Sequence, residues 1–201
     1  MFAQVESGSI TSFPKGNKGI LIGDNNYPAT IYTLWTESER NAIGIYTVEI
    51  DKTNRKDQKW YINTNITYAF GSGKVTGSYG TATAKAHADT LYTQADEDNG
   101  LGTKDDVKET GLKTILIRNV KSEAEAVLSQ TDWYITRKAE KSTAIPSAIT
   151  THRDAVRTKQ AAMETAITNA SDTPALETLY TYTTDSDGVT TRPLGEIPTL
   201  E

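Results

Sequence analysis

Leu128-Ser129-Gln130-Thr131-Asp132-Trp133-Tyr134, continued by Ile145-Pro146 and by His152-Arg153-Asp154-Ala155-Val156-Arg157, is the stretch on which the reading of this chain turns. It sets an aromatic pair just inside one helix and a proline at the start of the next, where a missing N–H does no harm. The outcome is a helical corner. On its N-terminal side Leu112, Ile115, Leu116, Val120, Ala124, Val127 and Leu128 recur mostly every three or four residues. That spacing makes one apolar helical stripe, with Lys113, Arg118, Lys121, Glu123 and Glu125 largely outside it. A second helix is expected from Asp132. A third, from Pro146, carries the stripe Ile149, His152 or Arg153, Val156, Met163, Ile167 and Ala170. It stops at Asn169-Ala170-Ser171-Asp172-Thr173-Pro174, where Thr173 is placed to cap a short successor with Pro174 in its first position. Thr183 to Gly188 reads as a turn. Arg192-Pro193-Leu194-Gly195-Glu196-Ile197-Pro198 reads as an extended tail, lying against its own or a neighbouring subunit.

Upstream the period changes. Phe2 to Val5 and Ile10 to Phe13 flank a hairpin turn at Gly8, and Ile20-Leu21-Ile22 precedes the turn-rich Gly23 to Pro28. In Thr36 to Gly44, Thr36 and Glu39 form a capping box and Gly44 ends the helix in a left-handed conformation. Trp35 and Ile43 would staple that helix to a sheet. Ile45 to Ile50, Trp60 to Asn63, Ile66 to Phe70 and Lys74 to Tyr79 are rich in β-branched and aromatic residues, and Gly71-Ser72-Gly73 joins the last two as a hairpin. The expectation is a small antiparallel meander with Asp51 to Lys59 as its exposed tip. After Gly80 the sequence turns small, polar and acidic. The fold class is therefore α+β: an N-terminal small antiparallel β domain with one short helix over 1–80, a linker over 81–110, a helical bundle over 111–183 and an extended tail over 184–201.

Composition narrows the chemistry. The 201 residues carry 26 acidic against 21 basic side chains, a formal net charge of -5, with no basic block suited to phosphates. Nucleic acid is not expected as a partner. A hydrophobic fraction of 36% with a mean hydropathy of -0.51 suits an elongated or oligomeric molecule. Without cysteine there is no disulfide, thiolate metal site or thiol nucleophile. The N-terminal residues lack the pattern of a signal peptide and no run approaches the roughly 20 apolar residues of a membrane span, so no membrane partner is expected.

Catalytic and cofactor signatures are wanting. His87 and His152 have no second His or Cys nearby, and no nucleophile elbow, Walker loop or dinucleotide fingerprint occurs. Asp96, Asp98 and Gly100 suggest a calcium loop, but its sixth and twelfth positions would be Leu101 and Val107 where Gly and Glu are needed. No metal, cofactor or catalytic residue is assigned, and the chain is not expected to be an enzyme. Tyrosines on the predicted strands suit either strand pairing or recognition of protein or carbohydrate.

Thr131-Asp132-Trp133, then Pro146, then Arg153-Asp154-Ala155-Val156-Arg157 resembles the C-terminal segment of phage tail-fibre assembly and tail assembly chaperone proteins. His152 stands where those families carry Tyr, and Val156 where they carry Leu. Trp35 to Tyr46 looks like the β modules that begin many tail-associated phage proteins, and the two segments together cover about a third of the chain. The resemblance implies a structural component of a bacteriophage tail, in the fibre, tip or baseplate region, made in the host cytoplasm and resident in the virion. Its partners would be other tail proteins within a homo-oligomer or symmetric assembly. Two alternatives are a tail assembly chaperone and an adhesin for host glycans. By the same resemblance Asp132, Trp133, Tyr134, Arg153 and Arg157 form a docking module. Trp133 and Tyr134 would pack under the third helix, Asp132 would cap the second, and Arg153 and Arg157 would share a face toward a partner's carboxylates.

Overall fold

The computed structural model describes residues 1–200 and is α+β, with a strand-rich unit over 1–83 and a helical unit from 84 onward. The first unit contains β1 (Phe2–Glu6), β2 (Ser9–Ser12), β3 (Ile20–Ile22), β4 (Asn25–Tyr27), α1 (Ile31–Leu34), α2 (Glu37–Ala42), β5 (Ile45–Asp51), β6 (Tyr61–Ile62), β7 (Ile66–Gly71) and β8 (Lys74–Tyr79). Its main sheet has the order β2-β1-β5-β8-β7. Two hairpins supply its edges, and both turn on Ser-Gly pairs with positive φ, Ser7-Gly8 at 50° and 80° and Ser72-Gly73 at 51° and 73°. Those values match the right-handed twist of the flanking strands.

The sheet is antiparallel-rich but is not a meander. β8, not β7, lies beside β5, and it runs parallel to it with Val48 opposite Val75 and Ile50 opposite Gly77. The physical reason is burial. Val75 and Gly77 are enclosed, as a central strand requires, whereas β7 alternates between half-buried and exposed as an edge strand does. A Cβ on Gly77 would lie 2.7 Å from the Tyr68 ring, so that ring lies across the glycine.

Ala3, Val5, Val48 and Val75 fill one cluster and Ile31, Tyr32 and Ile45 another. Two short helices stand where one was expected, because Ile31 and Tyr32 add a turn ahead of the capped segment. The Thr36–Glu39 capping box is formed, and Gly44 takes φ +81° where a Cβ would stand 2.6 Å from the Val5 carbonyl oxygen.

The second unit begins in the segment read as a linker, and that segment is folded. After β9 (Thr83–Ala84), β10 (Thr90–Leu91) pairs with β11 (Val107–Glu109) around α3 (Gln94–Asp98), whose Thr93–Asp96 capping box closes its N-terminus. Asp96 also takes the Lys108 ammonium at 2.8 Å, and Lys108 with the Thr93 N–H holds its carboxyl down at about 2. Asp96 is thus engaged in capping and pairing, and Glu97 and Asp98 accept from the Gln94 amide.

Residues 86–89 then cover the start of α4 (Leu112–Ser129). The Leu112 and Lys113 N–H groups donate to the Ala86 and His87 carbonyls, both at 2.9 Å, and the Asp89 carboxylate accepts from the Gly111 N–H at 2.6 Å and the Thr114 hydroxyl at 2.9 Å. Helix starts leave unpaired N–H groups that must find such partners. Gly111 is needed for space, since a Cβ there would meet the Ala88 backbone at 2.2 Å.

α5 (Asp132–Lys141), α6 (Ser147–Asn169) and α7 (Thr173–Tyr180) follow. Lys113 reaches the Thr168 carbonyl, Lys121 pairs with Glu164, and Arg153 reaches the Leu128 carbonyl, so α4 and α6 run antiparallel. Leu112, Leu116, Val120 and Ala124, four apart, face Ile149, Val156, Met163 and Ile167. Ile115 falls outside this row and is exposed. At α7 the cap is Asp172, which accepts from the Ala175 N–H at 2.8 Å, and not Thr173. Thr173 is buried, with its hydroxyl donating to the Lys85 carbonyl at 2.6 Å. The tail is less extended than expected. β12 (Thr183–Thr184) and β13 (Thr190–Thr191) form a hairpin, after which Leu194 and Ile197 are buried and the Leu194 N–H bonds the Leu179 carbonyl at 3.0 Å.

The covering of the α4 start has a direct consequence. Gly111→Ala is expected to destabilise the helical unit by about 2–4 kcal/mol, as an overpacked backbone contact, and Asp89→Ala by about 1–2 kcal/mol, as a lost cap. Urea denaturation followed by circular dichroism at 222 nm measures both, and a Gly111→Ala chain as stable as the parent would show that residues 86–89 can move away from α4.

Candidate functional site

The corner between α4 and α5 is assembled by Thr131 and Arg153, both buried at 1% and 7% exposure. α4 ends after Ser129, where the Leu128 carbonyl takes the Thr131 N–H at 3.1 Å, and an arginine from α6 adds a charged donor to that end. The Arg153 guanidinium donates to the Leu128 carbonyl at 2.7 Å and to the Thr131 hydroxyl oxygen at 2.6 Å, and it forms an ion pair with the Asp132 carboxylate at 2.9 Å. The Thr131 hydroxyl in turn donates to the Leu128 carbonyl at 3.0 Å. One planar cation therefore ties the end of α4, the N-cap of α5 and its first residue to α6. Position 153, not 152, is the inward one of the two; His152 is half-buried, and its Nε2 is enclosed without a partner.

Three expectations for this corner are corrected. Asp132 does not cap α5. Thr131 is the N-cap residue, without a side-chain capping bond, and the Asp132 carboxylate turns to Arg153. Arg153 is not free to meet a partner's carboxylate, because its donors are engaged within the chain. Trp133 does not pack under α6: it is 51% exposed, and α5 buries none of its own residues. Successive helical residues are about 100° apart, so an Asp132 held toward α6 turns Trp133 away from it.

The outward face so produced is ordered. The Trp133 and Tyr134 rings lie 3.8 Å apart between centroids with 31° between their planes. Arg137 sits over both, its Cζ at 4.8 Å from Trp133 and 5.2 Å from Tyr134. Such cation–π contacts hold a ring in one orientation without burying it. Ile135 is also exposed. Arg157 is exposed and pairs with Asp154 at 3.2 Å, a weak surface contact that leaves it open to exchange. Arg137 escaped the sequence reading, although its position four residues after Trp133 was the available signal. Thr131 was quoted only as part of a pattern, and nothing in a single hydroxyl residue announces it as a buried junction.

No group of His, Cys, Asp or Glu side chains among the described residues could hold a metal ion, and no helix among them is long and apolar enough to cross a membrane. Chemically, the corner offers a rigid aromatic and cationic contact surface on a buried ionic support.

Support and surface should separate on mutation. Arg153→Met is expected to cost about 2–4 kcal/mol, through lost charged hydrogen bonds in a buried setting, whereas Trp133→Ala is expected to shift stability by less than about 1 kcal/mol. Paired thermal and urea unfolding curves decide; a Trp133→Ala chain that loses several kcal/mol would place that ring inside the fold. Comparison with protein-family models, with curated proteins and with solved structures yields no match for this chain.

Proposed function

We propose that this chain is a structural component of a bacteriophage tail, in the fibre, tip or baseplate region, that binds a neighbouring tail protein through the outward face of α5. The observation that carries the docking reading is Trp133, half in water yet held by Tyr134 and Arg137 on a helix with none of its residues buried. Binding hot spots are enriched in Trp, Tyr and Arg, and a ring already fixed in orientation loses little freedom on association. The phage setting is supported by the resemblance of Leu128 to Arg157 to tail-fibre assembly and tail assembly chaperone proteins. The composition is in keeping with a chain that acts by contact, with low hydropathy, several small hairpins and many loops.

Quantitative mass spectrometry of purified particles tests the proposal. The chain is expected at stoichiometric copy number in mature virions, and Trp133→Ala is expected to lower its incorporation at least tenfold while the purified variant keeps the parent's circular dichroism spectrum. A soluble complex with a tail protein in infected lysate, together with absence from the particle, is the pattern of a tail assembly chaperone and would overturn the structural role.

A further inference from the structure

The loop between β2 and β3 borders a cleft of about 590 Å³ with Phe13, Pro14, Lys15, Asn17 and Lys18, and Ile20 and Tyr32 also line it. That volume lies in the range of small-molecule sites, about 300–1,000 Å³. Its chemistry is divided. Phe13, Pro14, Ile20 and Tyr32 give apolar wall, while Lys15 and Lys18 bring two cations and Asn17 an amide.

The loop is seated. Gly16, at φ +76°, lies against the Phe2 ring, where a Cβ would stand 3.2 Å away, and at Gly19 a Cβ would meet the Tyr27 carbonyl at 2.7 Å. Two lysines three residues apart are thereby held beside one cleft, and among the described residues no carboxylate pairs with either. Like charges gathered without counter-charge favour an anion between them.

Tyr32 belongs to the wall. The residue is buried and its hydroxyl is enclosed, so what it offers the cleft is ring surface and not a donor.

We infer that this cleft binds an acidic sugar residue of the hexuronic acid type, its carboxylate between Lys15 and Lys18, its ring hydroxyls served by Asn17 and its C–H face against the Phe13 wall. A flat apolar anion would leave Asn17 unused, and a bare anion would leave the aromatic wall unused. The inference concerns the strand-rich unit and does not depend on the reading of α5.

The test is an NMR titration of the ¹⁵N-labelled full chain with sodium glucuronate, with glucose and with inorganic phosphate, at matched ionic strength. Glucuronate is expected to shift the Gly16, Asn17 and Gly19 amides saturably, and glucose to leave them in place. The double variant Lys15→Gln/Lys18→Gln is expected to weaken glucuronate at least tenfold, and Phe13→Ala, at an exposed position, to weaken it severalfold with the rest of the spectrum unchanged. No saturable shift, an equal response to glucose, or an undiminished affinity in the double variant would overturn the inference. So would phosphate binding as tightly as glucuronate and insensitive to Phe13→Ala, which is the signature of a simple anion site.

Discussion

The Arg153 guanidinium is the interaction on which the helical unit rests. Its net worth does not come from charge as such, since removing an ion from water is costly and the Asp132 carboxylate is more than half exposed. It comes from geometry. A planar fork of donors meets a carbonyl at a helix end, a buried hydroxyl and a carboxylate at once, an arrangement that a lysine's point charge could not reproduce. The C-terminal end of α4 is also where a helix dipole favours a cation. With the corner held from below, α5 needs no core of its own and keeps its aromatic face in water.

The same demand, that every helix end find partners, explains the segment before α4. Residues 86–89 are polar and small, and by composition they read as a linker. Their carbonyls and the Asp89 carboxylate nevertheless occupy the first N–H groups of α4, so they belong to the helix they precede. The C-terminal residues behave likewise. Arg192 lies over the Tyr180 and Tyr182 rings and pairs with Glu196 at 2.6 Å, while Leu194 and Ile197 turn inward. A stretch with two prolines becomes part of the packing through a few anchored side chains.

Legibility followed the range of the forces involved. The capping box at Thr36, the Ser-Gly hairpins, the α4 stripe and the α6 stripe are consequences of local stereochemistry and of a 3.6-residue period, and they were readable residue by residue. The errors share one cause. Whether β7 or β8 lies beside β5, whether Thr173 or Asp172 caps α7, and whether Arg153 faces a partner or a carbonyl are choices among locally equivalent options, settled by what lies across the core. Trp133 shows it most clearly: a large aromatic in a helix is expected inside by the hydrophobic effect, and only the engagement of the preceding residue, Asp132, with α6 explains why it is outside.

What the chain's order of residues determined by itself is therefore the α+β class, the place of the main-sheet strands, of α2 and of α4 to α7, and the presence of a helical corner between Leu128 and Arg157, because periodicity and capping act within a turn or a hairpin. What the tertiary structure decided is which side of that corner is support and which is surface. Arg153 and Trp133 differ little in the reach of their side chains, and either could have been buried. The partners that make Arg153 the inward one, Leu128, Thr131 and Asp132, stand more than 20 residues away in sequence and meet it only when α6 folds back along α4.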